Sequence, residues 1–137
     1  MSNIQSIHHI NFLVKQLQPQ IDYFQSLLQC KPIIENLPNR GVKTARFPLG
    51  NAWIVLVQPL SDEGEVAQIL SERGEGIFLL SLNVTSLNDS IEQLSQSGIK
   101  ADKKGKRNGL DNWLVQDLQS PTSLGSIIQL CQPNQSD

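Results

Sequence analysis

The sequence contains few of the side chains that build metal centres and disulfide scaffolds. Its 137 residues include two histidines and two cysteines. Cys30 and Cys131 lie far apart and lack zinc-ligand spacing, so we expect two reduced thiols. A disulfide would require a fold that brings their Cα atoms close together. The small, disulfide-dense class of secreted domain is therefore excluded.

A strong net charge and long apolar runs are also missing. The formal net charge is -2, so no overall field attracts nucleic acid or an anionic membrane. No apolar run approaches the roughly 20 residues of a membrane span. The polar N-terminus MSNIQS does not resemble a secretory signal. We therefore expect a cytoplasmic protein with no nucleic acid and no membrane as partners.

Both histidines lie side by side in the apolar, β-prone stretch IHHINFLV, residues 7–14. Neighbouring side chains of a strand point to opposite faces. Only one of the two histidines can therefore face a given site.

Basic residues are concentrated in KADKKGKRNG, residues 100–109, which holds five of the eleven lysines and arginines. The glycines and the lack of apolar periodicity predict a loop or hairpin tip. Two interpretations stay open for this basic loop, residues 100–107: a solvated turn, or a contact for the phosphates of an anionic ligand.

The chain contains an internal repeat, because residues 8–27 and 78–97 both predict a strand, a short polar turn and an amphipathic helix. Pro19 suits the first turn of one helix, Ser86 with Asp89 resembles a capping box for the other, and Gly98 ends it. Residues 51–59 and 125–133 both predict an apolar strand that closes on Gln-Pro. The remaining strands are predicted in PIIENLP, VKTARFPL, GIKADK and NWLVQDL.

This pattern predicts a βαβββ module at about 5–60, a linker helix at about 61–75 with Ser61 as N-cap, and a second βαβββ module at about 76–133. Taken in order, IHHINFLVKQL, NLPNRGVKTARFPLG, IVLVQPLSDEGEVAQILSERGEGI and SPTSLGSIIQL resemble the vicinal oxygen chelate superfamily. That superfamily includes glyoxalase I, bleomycin-resistance proteins, extradiol dioxygenases and methylmalonyl-CoA epimerase, and the epimerase is the most similar. The implied fold is α+β, with two βαβββ modules forming a shared curled-sheet cleft in one domain, residues 1–137.

In that family a divalent metal lies in the cleft and stabilises an enolate while carboxylates move the proton. The resemblance assigns the four ligand positions to His9, Val55, Leu79 and Gln129. It assigns the carboxylate bases to Gln129 and Thr44. Val and Leu have no lone pair, and Gln cannot accept a proton at neutral pH. We therefore expect no metal and no cofactor.

Strand alternation predicts a mostly apolar ligand-binding cleft with a few polar groups. Three interpretations of His9 stay open: metal ligand, lone general base or hydrogen-bond donor to a ligand, and vestigial residue satisfied by Gln129 or Asn11. His9 is the best catalytic candidate, and we expect His8 to point toward a helix or solvent. Arg46 is either an anchor for an anion or a partly exposed strand arginine. The predicted cleft residues are His9, Asn11, Thr44, Arg46, Trp53, Val55, Leu79, Ser81 and Gln129.

Three functions are compatible with these residues. The first is a metal-free protein that binds a small molecule, such as an acyl-thioester, or has a divergent activity. The second is a metal-dependent epimerase or glyoxalase-type lyase with an unusual site. The third is an interaction protein whose cleft is filled by side chains. The family often forms homodimers, and the sequence does not decide whether this chain does.

If the resemblance assigns the ligand positions correctly, the triple variant Val55→Glu, Leu79→His, Gln129→Glu should bind a divalent metal. Glu and His provide the missing lone pairs beside His9. Metal analysis of the variant, purified without chelator, measures this. A folded variant without metal contradicts the assignment of positions, and near-stoichiometric metal in the unaltered protein contradicts the metal-free interpretation.

Overall fold

The computed structural model describes residues 3–133, which contain eight strands and three α-helices. The fold is α+β, and the predicted succession βαβββ, helix, βαβββ is confirmed. The elements are β1 (Ile4–Leu13), α1 (Leu17–Leu28), β2 (Ile33–Leu37), β3 (Val42–Leu49), β4 (Ala52–Pro59), α2 (Glu65–Arg73), β5 (Gly76–Val84), α3 (Leu87–Gln96), β6 (Arg107–Asn108), β7 (Leu114–Asp117) and β8 (Ile127–Gln132). None of the helices among these residues is long and apolar enough to cross a membrane.

The chain divides into two compact units. One, called here the 9–78 unit, runs from His9 to Phe78; the other, the 79–133 unit, joins the residues up to His8 to the described residues from Leu79 onward. The division therefore falls inside β1, between the two histidines. The module and linker boundaries stated from the sequence stay a prediction.

In the 9–78 unit the strands lie in the order β2-β3-β4-β1, with β1 parallel to β4 and the other neighbours antiparallel. A parallel pair needs a crossover connection. That connection includes α1, whose apolar stripe packs on one face of the sheet. The buried core of this unit consists of Val14, Leu17, Ile21, Ala45, Phe47 and Leu56.

In the 79–133 unit β5 is parallel to β8, and β7 pairs antiparallel with both β8 and β6. The crossover includes α3, which packs over the face that carries Leu130 and Leu118. Buried Val84 and Leu87 complete this second core. The same connection thus forms the same local arrangement in both units.

The Gln-Pro pairs at the ends of β4 and β8 have a structural role that explains their repetition. The side-chain oxygen of Gln58 accepts a hydrogen bond of 2.6 Å from the backbone N–H of Leu17, at the start of α1. The side-chain oxygen of Gln132 accepts one of 2.8 Å from Leu87, at the start of α3. Each glutamine satisfies a helix N–H that lacks an intrahelical partner, and so joins the last strand of the module to its helix.

The helix ends show which predicted caps are correct. Ser86 Oγ accepts a hydrogen bond of 3.2 Å from the Asp89 N–H, which confirms it as the N-cap of α3. The N-cap of α2 is Gly64, with φ 103°, and not Ser61. Ser61 Oγ instead accepts from the Glu63 N–H, within the turn that precedes the helix.

The predicted strand GIKADK is wrong, because only Ala101 forms an isolated bridge, to Leu118. Gly98 has φ 88°, and the chain turns there. The backbone N–H of Asp102 donates to the Asp117 carbonyl at 2.8 Å, so the start of the basic loop is attached to the end of β7. Strand pairing resumes at Arg107, the last residue of the basic loop.

Replacing Ser86 with Ala should lower the free energy of unfolding by about 1 kcal/mol, because the Asp89 N–H loses its acceptor. Urea unfolding followed by circular dichroism measures this. The control is Ser26→Ala on the exposed side of α1, which should change stability by less than about 0.5 kcal/mol. Equal effects of the two substitutions would contradict a capping role for Ser86.

Candidate functional site

Six of the predicted cleft residues lie on one face of the sheet of the 9–78 unit. The strand register places Asn11 opposite Val55 and Val55 opposite Arg46. It also places His9 opposite Trp53, and Thr44 opposite Val57 in the adjoining row. The alternate residues Phe12, Leu56 and Ala45 pack toward α1. The predicted residues therefore occupy the face of this sheet opposite α1.

Arg46 differs from the partly exposed arginine that was one of its two interpretations. It is 5% exposed, forms an ion pair with Glu35, and lies with its guanidinium carbon 5.3 Å from the centroid of the Trp53 ring. The carboxylate neutralises the buried cation and the indole covers its flat side. Thr44 lies in the next row, and its hydroxyl donates to the Glu35 carbonyl at 3.4 Å.

On this face Asn11 carries a buried polar atom without a hydrogen-bond partner in the described part of the chain. Its side-chain oxygen is buried and accepts no hydrogen bond from any group within residues 3–133. A buried acceptor without a donor costs about 1–3 kcal/mol. His9 and Val55 beside it are also buried. The oxygen of Asn11 is thus a site where a hydrogen-bond donor would be stabilising.

The predicted residues of the 79–133 unit lie in a second row. Ser81 is opposite Gln129, and Gln129 is opposite Asp117. Ser81 Oγ donates to Gln129 Oε1 at 2.8 Å, and Gln129 Nε2 donates to Asp117 Oδ1 at 2.9 Å. Leu79 lies on the same face, opposite Ile127. Both ends of the Gln129 amide are therefore bonded to protein groups.

Asp117 is a member of this row that sequence reasoning missed. It is 2% exposed and accepts hydrogen bonds from Arg107 NH2 at 3.1 and 3.2 Å. Lys104 Nζ lies 3.7 Å from Asp117 Oδ2. The available signal was the spacing of two residues between Val115 and Asp117 in NWLVQDL. This spacing places the carboxylate on the same face of the strand as the buried valine.

The basic loop is thus only partly a solvated turn. Lys104 and Arg107 face a buried carboxylate, and Lys106 donates a hydrogen bond to Asn88. Lys100 and Lys103 are exposed. The loop was correctly predicted as a loop, and its role in ligand binding stays a prediction.

His8 faces the interior of the 79–133 unit rather than a helix or solvent. Its ring packs edge-on against Trp113, with centroids 4.5 Å apart, and one of its nitrogens lies within 4.8 Å of Cys131 Sγ. Burial lowers the pKa of His8, which favours the neutral imidazole. Burial also raises the pKa of the Cys131 thiol to about 12, and a hydrogen bond with Ser81 opposes that shift.

The comparison with known families identifies the class of protein. The family model of the Glyoxalase/Bleomycin resistance protein/Dioxygenase superfamily matches residues 8–116. The chain belongs to this superfamily, and the resemblance stated from the sequence is confirmed.

Individual relatives are distant in sequence. YqjC, an uncharacterised protein of Bacillus subtilis, is 20% identical over 128 residues, which are 93% of this chain and 91% of that protein. The crystal structure of methylmalonyl-CoA epimerase from Mycobacterium tuberculosis is 23% identical, with a TM-score of 0.87 over 98% of this chain and 92% of that one. A hypothetical protein from Bacillus halodurans is 26% identical, with a TM-score of 0.85 over 96% of each chain.

A further structural neighbour is a methylmalonyl-CoA epimerase solved in complex with methylmalonyl-CoA and NH4+. It is 16% identical, with a TM-score of 0.83 over 94% of each chain. At this level of identity the similarity establishes the fold alone.

Cys131 should resist alkylation in the folded protein. With a pKa of about 12, roughly one Cys131 thiol in ten thousand is a thiolate at pH 8, and the thiolate is the reactive form. Partly exposed Cys30 is the internal control. Mass spectrometry after iodoacetamide treatment should find Cys30 modified, and Cys131 modified only in guanidinium chloride. Similar alkylation rates for both thiols in the folded protein would contradict the raised pKa of Cys131.

The same thiol makes stability depend on pH. The folded-state pKa of Cys131 lies above its usual value of about 9, so unfolded chains ionise first as the pH rises. The free energy of unfolding should be highest below pH 9 and fall between pH 9 and 12. Cys131→Ala should remove this part of the pH dependence in urea unfolding, whereas Cys30→Ala should leave it in place. An unchanged profile in Cys131→Ala contradicts the expectation.

Proposed function

We propose that this protein binds a small molecule, of the acyl-thioester class, without a divalent metal. The observation that carries the proposal is the buried side-chain oxygen of Asn11, which lacks a donor among the described residues. A ligand with an N–H or O–H group beside an apolar portion would satisfy this oxygen and contact Val55 and Trp53.

The residues at the family's ligand positions do not fit a divalent metal. Val55 and Leu79 offer no lone pair. Gln129 offers only a neutral amide oxygen as a metal ligand, and that oxygen already accepts a hydrogen bond from Ser81. A catalytic metal site uses at least three protein ligands, and His9 alone of these four positions carries a good one. We infer that Gln129, which occupies a metal-ligand position of the family, instead joins Ser81 to Asp117 by hydrogen bonds.

The face of the 9–78 unit opposite α1 offers the mixture of apolar and polar groups expected of a binding site. Trp53 and Val55 are apolar, while Asn11, His9 and Arg46 bring polar groups into the same rows. Pairing with Glu35 fixes the guanidinium of Arg46 and neutralises it. The face therefore favours a ligand that is largely apolar and not strongly anionic at this position.

The acyl-thioester class rests on the relatives. Structural neighbours include methylmalonyl-CoA epimerases, one of them solved with methylmalonyl-CoA. In this chain the two positions of the carboxylate bases hold Thr44 and Gln129, which cannot take up a proton at neutral pH. Binding, or a divergent reaction with His9 as its base, is therefore favoured over epimerisation. We also propose a cytoplasmic location; a homodimer stays a prediction.

One observation favours the alternative of an interaction protein with a filled cleft. Val55 is fully buried, and Thr44, Leu79 and Gln129 are nearly so. Side chains that are already covered leave less room for a ligand. A ligand screen therefore separates the two proposals.

Replacing Asn11 with Leu should have opposite effects on stability and binding. Removal of an unsatisfied buried oxygen should raise the melting temperature by about 3 °C, because Leu is similar in size and needs no hydrogen bond. The affinity for an acyl-CoA should fall about tenfold, because the ligand loses its acceptor. Thermal shift and isothermal titration calorimetry with acetyl-, propionyl- and methylmalonyl-CoA, in EDTA, measure both effects.

The matched control is Asn36→Leu on exposed β2, which should leave the affinity unchanged. If no thioester raises the melting temperature of the unaltered protein, the proposal is wrong and the filled-cleft alternative gains support. If binding requires an added divalent metal, the metal-free proposal is wrong. A lower melting temperature of Asn11→Leu with unchanged affinity would assign Asn11 a structural role.

A further inference from the structure

The basic loop and β7 of the 79–133 unit together form a second polar centre, separate from the rows around Asn11. Arg107 is opposite Val115 in the β6–β7 pair, two residues along β7 from Asp117. Arg107 and Asp117 therefore lie on the same face of this unit. Their contact uses one nitrogen of the guanidinium, NH2, for both carboxylate oxygens.

The second terminal nitrogen of Arg107, NH1, takes no part in the contact with Asp117. NH1 is buried and donates to no acceptor within residues 3–133. The side chain as a whole is 30% exposed, so part of Arg107 reaches solvent although NH1 itself is covered. A buried charged donor needs an acceptor, and an oxyanion is the strongest one, provided that the side chain of Lys104 moves aside to admit it.

The charges around Arg107 favour an anion. Asp117 is shared by two cations, Arg107 and Lys104, so that the three side chains carry a net positive charge. Lys104 is 38% exposed and has a flexible stem, which lets it turn from Asp117 toward a second anion.

The loop is held in position on β7 at its base. The backbone N–H of Gln119 donates to the Lys100 carbonyl at 2.9 Å, and the Gln116 side chain donates to the Asp102 carbonyl at 3.2 Å. The carboxylate of Asp102 accepts from the backbone N–H of Lys104 at 2.8 Å, which fixes the turn. The cations are thus presented from an ordered loop base, which lowers the entropy lost on binding.

We propose that Arg107, with Lys104, forms an oxyanion-binding site of the 79–133 unit, which accepts a phosphate or a carboxylate through Arg107 NH1. The site does not depend on the acyl-thioester proposal, because it uses other residues and is tested with small anions that contain no thioester. Phosphate esters and free carboxylates share the required chemistry, and separate probes distinguish them.

Isothermal titration calorimetry with pyrophosphate and with malonate, at constant ionic strength, tests the site. The unaltered protein should show saturable binding of at least one of them. Arg107→Lys keeps the charge beside Asp117 but loses the paired guanidinium nitrogens, so it should weaken binding at least tenfold. The matched control Lys103→Gln removes one charge from the same loop and should change the affinity less than twofold.

The two substitutions separate a built site from a diffuse positive field. Arg107→Lys with unchanged affinity, or Lys103→Gln with an equal or larger loss, would overturn the proposal. So would the absence of saturable binding in the unaltered protein. If Arg107→Lys fails to fold, the arginine side-chain nitrogen resonances of the unaltered protein decide: the proposal requires the Arg107 signal to shift on titration with the bound anion, and an unmoved signal refutes it.

Discussion

The parallel pairing of the first strand of each module with its last strand is the constraint on which the rest of the structure depends. β1 pairs with β4, and β5 with β8, and both pairs need a crossover connection. The crossover brings α1 or α3 onto one face of its sheet, where the apolar residues of alternate positions pack against it. The opposite face of each unit is then available for polar side chains.

Glutamine side chains reinforce this arrangement at the same place in both units. Gln58 and Gln132 each accept a hydrogen bond from the first residue of the module's helix. A helix N-terminus buried against a sheet needs such an acceptor. The repetition of Gln-Pro in the sequence therefore reflects a shared structural requirement and gives no information about ligands.

The two units pair their polar groups in different ways, and each leaves a buried polar atom without a partner within residues 3–133. In the 79–133 unit, Ser81, Gln129 and Asp117 form a continuous hydrogen-bonded row that ends on Arg107. In the 9–78 unit, Arg46 pairs with Glu35 and lies against the Trp53 ring, while the oxygen of Asn11 lacks a donor among the described residues. A satisfied row stabilises a fold, whereas an unsatisfied buried group is tolerated where a ligand completes it. The Asn11 oxygen and Arg107 NH1 are both such groups, and they support the two proposed binding sites.

The sequence by itself determined the repeat, the family, the α+β class and the strand alternation that puts Asn11, Val55 and Arg46 on one face. These features depend on local periodicity and on short motifs, and they were predictable for that reason. The prediction of Ser61 as the cap of α2 was wrong, because the helix begins after Gly64, which has a positive φ. The prediction of a strand in GIKADK was wrong, because this segment is a loop attached to β7. Only the tertiary structure decided that Asp117 pairs with Arg107 and Lys104, and that Arg46 is buried against Glu35. The residues of such a pair are at least 10 positions apart in the sequence. The sheet register, not the local sequence, therefore brings their charges together.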